Sequence, residues 1–208
     1  MLRVRSFGLA VGASVLFFGG FGAMLLSGVL FLTSVWHEDV LTAGLMLFPG
    51  PAMATLFSVP SARLGARIGY RIPGVAGAAL FAGGSILLNV QLGNHPAYFS
   101  EYLPGMAMTG AGVGLVIPTL TGAGASSLEA HRFATGAAVL TMGRQIGAAL
   151  GVAVLVAVLG TSATTAGAFD SARVITVIAG ILTGVALAAI GASAPRTAPA
   201  PAVATSAA

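Results

Sequence analysis

The stretch TMGRQIGAALGVAVLVAVLG, residues 141–160, contains one charged residue in twenty positions. Twenty residues of helix are about 30 Å long, which is the thickness of the hydrocarbon core of a bilayer. Gly143, Gly147 and Gly151 recur every four residues and therefore share one face, where small residues let helices approach closely in lipid. The stretch predicts a membrane-spanning helix that packs through a glycine face.

Charged residues are as sparse in the rest of the chain. Hydrophobic types make up 57% of the 208 residues and charged types 7%, whereas a soluble domain carries charge at about a quarter of its positions. We therefore predict an all-α polytopic membrane protein whose six transmembrane helices form one bundle. The expected spans are about 6–35, 40–59, 74–92, 103–125, 136–160 and 174–193, and residues 194–208, rich in Ala, Pro, Thr and Ser, are expected to form a disordered cytoplasmic tail.

The distribution of arginine predicts the orientation. Seven of the nine arginines fall in segments that the six spans place on one side of the membrane. By the positive-inside rule that side is cytoplasmic, so both termini are expected inside the cell. The net charge of +4 is interpreted as a topology signal rather than as a nucleic-acid-binding surface. The seven residues are Arg3, Arg5, Arg63, Arg67, Arg71, Arg132 and Arg196.

Several kinds of site are disfavoured by the residue types. The chain has no Cys, and His37, His95 and His131 all fall in expected connections. No metal site, cofactor site or intramembrane Ser/His pair is therefore predicted, and an enzyme is the least favoured interpretation. No Asp or Glu is expected inside a span. A proton-driven transporter needs such an acid, so it would have to be supplied elsewhere.

Arg144 is the charge expected within the membrane. It lies about 12 Å along the helix from Gly136 at about 1.5 Å per residue. An intramembrane charge marks a substrate path or a gate, or else the side chain snorkels or makes a structural hydrogen bond; both alternatives stay open. Gln145, Pro49 and Pro118 are further transport or gating candidates, and a kink is expected in the sequence FPGP. Seven side chains are candidates either for an apolar pocket or for packing, namely Met46, Met53, Met106, Met108, Met142, Phe48 and Phe57.

The segment SARLGARIGYRIPG, residues 61–74, resembles a degenerate copy of the cytoplasmic loop motif of the major facilitator superfamily, Gly-x-x-x-Asp-Arg-x-Gly-Arg-Arg. Arg67, Gly69 and Arg71 match it, and Ala66 stands where the motif has Asp. With Arg63 these residues form the candidate loop motif. The resemblance implies that they lie at the inner interface and near neighbouring helix ends.

Three further strings are similar to the fourteen-span drug:proton antiporter branch of that superfamily. They are LMLFPGPAMA at 45–54, GAGVGLVIPTLTGAGA at 110–125 and RQIGAALGVA at 144–153. Such transporters consist of two helix bundles that face each other across a central cavity, and this chain resembles the carboxy-terminal bundle alone.

The resemblance implies proton-coupled export of drugs or other small apolar or cationic compounds from the cytoplasmic membrane of a bacterium. The implied partners are the lipid bilayer, a small-molecule substrate, protons and an amino-terminal bundle of six or eight spans in the same or another chain. The alternative is a non-transporting membrane protein, either a scaffold or a remnant that inserts and moves nothing.

Overall fold

The computed structural model describes residues 5–93, 95–126, 131, 133–160 and 166–189. In chain order the helices of this part are α1 (Arg5–Ser34), α2 (Val40–Leu47), α3 (Pro49–Ile68), α4 (Arg71–Gln91), α5 (Leu103–Ser126), α6 (Phe133–Leu159) and α7 (Ala166–Ala189). A π-helical turn, Tyr98–Tyr102, leads directly into α5.

Six stretches of the described chain are long and apolar enough to cross a membrane, and α2 and α3 together form one of them. The predicted all-α membrane fold is thereby confirmed. The orientation of the termini stays a prediction, and the expected tail lies outside the described residues.

The second span is interrupted at Phe48, where the sequence predicts a kink. Pro49 opens α3, since a proline needs no backbone donor at the first position of a helix. The interruption sets α3 apart from the short helix α2 that precedes it.

An aspartate begins α2. The Asp39 carboxylate accepts hydrogen bonds from the backbone N–H groups of Leu41 at 3.2 Å and Thr42 at 3.3 Å. Hydrogen bonding to Thr42, chiefly to its side chain, holds the pKa of this carboxyl below its ordinary value. The cap is therefore ionised at neutral pH, and its contribution to the helix is lost as the pH falls through that pKa.

The candidate loop motif is mostly helical, which corrects the sequence-based boundaries. Arg63 and Arg67 lie on α3, which continues past the expected end at residue 59, and Arg71 is the first residue of α4. The connection is two residues long, and its first residue, Gly69, adopts a φ of 92° that glycine tolerates without strain. The prediction ended the span where charges begin, whereas the helix continues with its arginines exposed.

The last span also begins earlier than expected. Asp170 and Arg173, which precede the expected start of this span at residue 174, both lie on α7. The Arg173 side chain is buried, and its guanidinium covers the ring of Phe31 at 4.6 Å from the centroid. The expectation that Arg144 is the one charge in the interior is therefore wrong, because an ion pair and an aromatic face allow a second arginine to enter the bundle.

Two helices occupy the centre of the bundle. α1 packs against α6 and α7, α5 packs against α3 and α4, and α4 packs against α7. Exchanging α1 with α5, α3 with α6 and α4 with α7 reproduces the same set of neighbours, which is the pattern of two three-helix repeats. We call the side formed by α3, α5, α1 and α6 the front face, and α4 and α7 cover the opposite side.

The contact between α1 and α6 joins backbone to backbone. A Cβ atom on Gly147 would overlap the carbonyl oxygen of Val15, and one on Gly151 would overlap that of Gly19. At Gly143 the nearest atom to such a Cβ would lie at 3.5 Å, an ordinary packing distance. The two later glycines of the ladder therefore lie where the helices are closest.

The contact between α5 and α3 is built in the same way. A Cβ atom on Gly110 would overlap the carbonyl oxygen of Gly50, and one on Gly114 would overlap that of Ala54. A hydrogen bond from the Ser61 hydroxyl to the carbonyl oxygen of Leu115, 2.8 Å long, joins the same two helices. Both flanking helices are thus held against the central pair through glycine.

We predict that Gly151→Val lowers the melting temperature of the purified chain, because the added side chain forces α6 away from α1. Overpacking of this kind costs about 1–3 kcal/mol. The matched control is Gly12→Val on α1, where a Cβ would have no neighbour within 4 Å. Thermal unfolding in detergent measures both variants, and equal melting temperatures would contradict the proposed close contact.

Candidate functional site

An apolar groove opens on the front face between α1, α3 and α5. Its volume of about 310 Å³ falls in the range of about 300–1,000 Å³ found for small-molecule sites. The residues that line it are Phe21, Met24, Leu25, Gly50, Pro51, Ala54, Thr55, Met106, Gly110, Val113 and Ile117. The groove therefore suits a compact apolar molecule.

The start of α3 creates this space. Gly50 has no side chain, and a Cβ there would come within 2.5 Å of the Met106 terminal methyl carbon. The Thr55 hydroxyl donates to the carbonyl oxygen of Pro51 at 2.9 Å, so the polar group of the wall is already engaged within α3. What the groove offers to a ligand is mainly apolar surface and the thioether groups of Met24 and Met106, which adapt to varied shapes.

Arg144 lies at one end of the same face. Counted from Phe133, where α6 begins, it is about 16 Å along the helix at about 1.5 Å per residue. One terminal nitrogen donates a hydrogen bond to the hydroxyl oxygen of Thr121 on α5, and the guanidinium lies over the Phe18 ring at 5.4 Å from its centroid. Its Nε is buried without a hydrogen-bond partner.

A smaller space, which we call the Arg144 cavity, adjoins this side chain. It has a volume of about 90 Å³ and is lined by Thr121, Ala125, Phe133, Gly136, Ala137, Leu140, Thr141 and Arg144. This space lies between α5 and α6, and Phe18 of α1 covers the guanidinium of Arg144. The space beside α6 therefore contains a cation, whereas the groove beside α3 is mainly apolar.

The groove and the Arg144 cavity are one helical turn apart. Ile117 lines the groove, and Thr121, four residues later on α5, lines the cavity. On α1, Phe18 contacts Arg144 and Phe21 lines the groove. Their rings lie 6.1 Å apart and so connect the two spaces. Arg144 is the charged residue among the described residues that line these two spaces.

The other sequence candidates lie near the site without entering it. Gln145 is exposed and lines neither space, while Pro49 and Pro118 are half-buried neighbours of the groove residues Gly50 and Ile117. Their predicted roles, like that of Arg144, stay predictions.

The candidate loop arginines lie elsewhere. Arg63, Arg67 and Arg71 are exposed at the adjoining ends of α3 and α4. They line neither the groove nor the Arg144 cavity. Their predicted place at the inner interface stays a prediction.

Sequence reasoning missed most of the groove wall. Met106 was a candidate, but Gly50, Ala54 and Gly110 were not. The signal was present, since Gly50 and Ala54 are four residues apart and face a matching pair of small residues on α5. It was hidden because small residues of this spacing are frequent throughout a chain with 30 glycines.

Sequence comparison finds relatives of this chain in Mycobacterium tuberculosis. No protein-family model matches the chain. It is 28% identical over 158 residues to the multidrug resistance protein Stp, a match that covers 73% of this chain and 28% of that protein. It is 29% identical over 145 residues to a multidrug resistance protein B homolog, a match that covers 66% of this chain and 25% of that protein.

The chain thus corresponds to little more than a quarter of the length of Stp. These similarities, together with the six membrane-spanning stretches, agree with the motifs of α3, α5 and α6. The chain is a homologue of multidrug resistance proteins, and its resemblance to drug transporters of the major facilitator superfamily is thereby confirmed.

Proposed function

We propose that this chain is the carboxy-terminal bundle of a secondary active transporter that exports drugs or other small apolar or cationic compounds in exchange for protons. The observation that carries the proposal is the apolar groove on the front face, next to the half-buried Arg144. In such transporters the substrate binds at the middle of the membrane, between repeated bundles that rock against each other. The names of the relatives, both multidrug resistance proteins, support export as the direction of transport.

A second bundle is part of this proposal. The groove is open on the front face, and no acidic side chain is among the described residues that line it or the Arg144 cavity. We propose that an amino-terminal bundle of six or eight spans, in the same or another chain, closes the groove and supplies the carboxylate that carries the proton. Residues 1–193 would then form the second wall of the cavity, with both termini on the cytoplasmic side of the cell membrane.

Arg144 has a specific role in this scheme. An arginine stays protonated, so it cannot carry the proton itself. Its described partners, the Thr121 hydroxyl and the Phe18 ring, are neutral. The guanidinium is therefore available to a carboxylate on the opposing bundle, and making or breaking that pair would couple protonation to rocking of the bundles.

The first test uses a hybrid transporter, in which this chain follows the amino-terminal part of Stp in a drug-sensitive bacterial host. We expect ethidium efflux from the hybrid and none from this chain alone. Efflux by this chain alone in reconstituted vesicles would refute the need for a second bundle. A hybrid that inserts fully and exports none of a panel of apolar and cationic dyes would favour the scaffold or remnant.

We predict that Arg144→Ala in the active hybrid reduces efflux to near background without lowering the amount of protein in the membrane. The matched control is Gln145→Ala, because the neighbouring side chain is exposed and lines neither space. Efflux rates normalised to immunoblot intensity provide the measurement. Loss of membrane protein in proportion to activity would instead assign Arg144 a structural role.

We further predict that Thr55→Trp lowers efflux about tenfold, because an indole at this position fills the apolar groove. The control is Leu56→Trp on the same turn of α3, where the side chain is exposed and does not line the groove. Dye efflux by both hybrids at matched expression decides the outcome. Equal rates would show that substrate does not pass through this groove.

A further inference from the structure

A second arginine is buried at the opposite end of the bundle from Arg144. Arg173 lies near Tyr102, which directly precedes α5, whereas Thr121, the partner of Arg144, is close to the other end of that helix. The Arg173 side chain retains 9% of its accessible surface. It is not part of the groove or the Arg144 cavity, and the proposed transport function makes no use of it.

The hydrogen-bonding groups of Arg173 are only partly satisfied. One terminal nitrogen lies 3.3 Å from the Asp170 carboxylate, and the guanidinium plane covers the Phe31 ring. The other terminal nitrogen is buried and has no hydrogen-bond partner. A buried donor without an acceptor is destabilising, and more so when the group is charged, so this nitrogen indicates that an acceptor belongs beside it.

The aspartate compensates the charge incompletely. Its side chain keeps 58% of its accessible surface, and water screens the interaction of an exposed carboxylate with its partner. The positive charge of Arg173 is thus directed into the protein interior with only a partial counter-charge. An anionic guest close to the guanidinium would supply the missing counter-charge.

A cavity beside Arg173 provides a place for such a guest. It lies between α1, α4, α5 and α7, and Arg173 lines it together with four hydroxyl-bearing residues, Ser27, Ser85, Tyr102 and Thr176. The Ser85 hydroxyl donates to the carbonyl oxygen of Phe81. The space of about 30 Å³ has room for about two water molecules, and no carboxylate is among the described residues that line it.

We propose that the Arg173 cavity binds a small monovalent anion of the size of chloride. The charge of the guanidinium favours an anion over a metal cation, and the small volume of the cavity favours a monoatomic ion over a large organic acid. Because the walls come from four helices, the bound anion would tie α7 to α1, α4 and α5. It would therefore stabilise the folded bundle by mass action.

Anion replacement in the purified chain tests this site. Thermal unfolding in detergent is measured while chloride replaces gluconate, an anion too large for the cavity, at constant ionic strength. We expect the melting temperature to rise with chloride and to saturate. Bromide gives a second readout, since Trp36, the single tryptophan, has its ring 5.5 Å from that of Phe31 and 6.0 Å from that of Tyr102. Its fluorescence should change saturably, and chloride should compete.

Three variants test whether the chloride dependence of the melting temperature arises at Arg173. Arg173→Gln should weaken chloride binding by about tenfold or more, because it removes a charge-assisted hydrogen bond. Arg63→Gln, which removes an exposed arginine of α3, should leave chloride binding unchanged. Tyr102→Phe keeps the ring and removes one hydroxyl, so it should weaken binding less than Arg173→Gln. If Arg173→Gln does not fold, chloride binding by Tyr102→Phe tests the site instead.

Two results would overturn the proposal. The first is a melting temperature and a Trp36 fluorescence that do not distinguish chloride or bromide from gluconate, which would leave water as the guest of the cavity. The second is a chloride dependence that persists unchanged in Arg173→Gln, or in Tyr102→Phe if the former is unfolded. Neither result would bear on efflux by the hybrid transporter, so this proposal fails or succeeds separately from the proposed function.

Discussion

Close backbone contact between helices is the constraint on which the rest of this bundle depends. In lipid, apolar side chains gain little by leaving the acyl chains, so association relies on packing between small residues. Each central helix meets its flanking helix in this way, through Gly19 and Gly151 on one side and through Gly50 and Gly110 on the other. These contacts fix where α3 and α6 lie, and they thereby set the shape of the front face.

The two repeats use the same contact to present different chemistry. On the α3 side, Gly50 and Pro51 leave an apolar groove, whereas on the α6 side Arg144 lines the smaller space between α5 and α6. Three residues that line the groove, Gly50, Ala54 and Gly110, also form the close contact between α3 and α5. The shape of the groove therefore depends on the same small residues that hold these helices together.

The sequence predicted the class of fold because charge spacing and hydrocarbon thickness leave few alternatives. It located the second span but ended it too early, since an exposed helix such as the end of α3 continues through Arg63 and Arg67 once it leaves the apolar core. It missed the burial of Arg173, because the partners that permit it, Asp170 and Phe31, include one that is far away along the chain. The groove could not be predicted from the sequence for the same reason, because its walls come from three separate helices.

The half-buried Arg144 and the buried Arg173 have different surroundings, which lead to different proposals. Arg144 has neutral partners and adjoins the open front face, where we propose that a carboxylate of an amino-terminal bundle pairs with it. Arg173 already has a carboxylate on its exposed side, and its side chain lines a small cavity between four helices. The proposed partner at the first position is a second helix bundle, and the proposed guest at the second is a small anion. The surroundings of each arginine, rather than its charge alone, therefore determine which partner it takes.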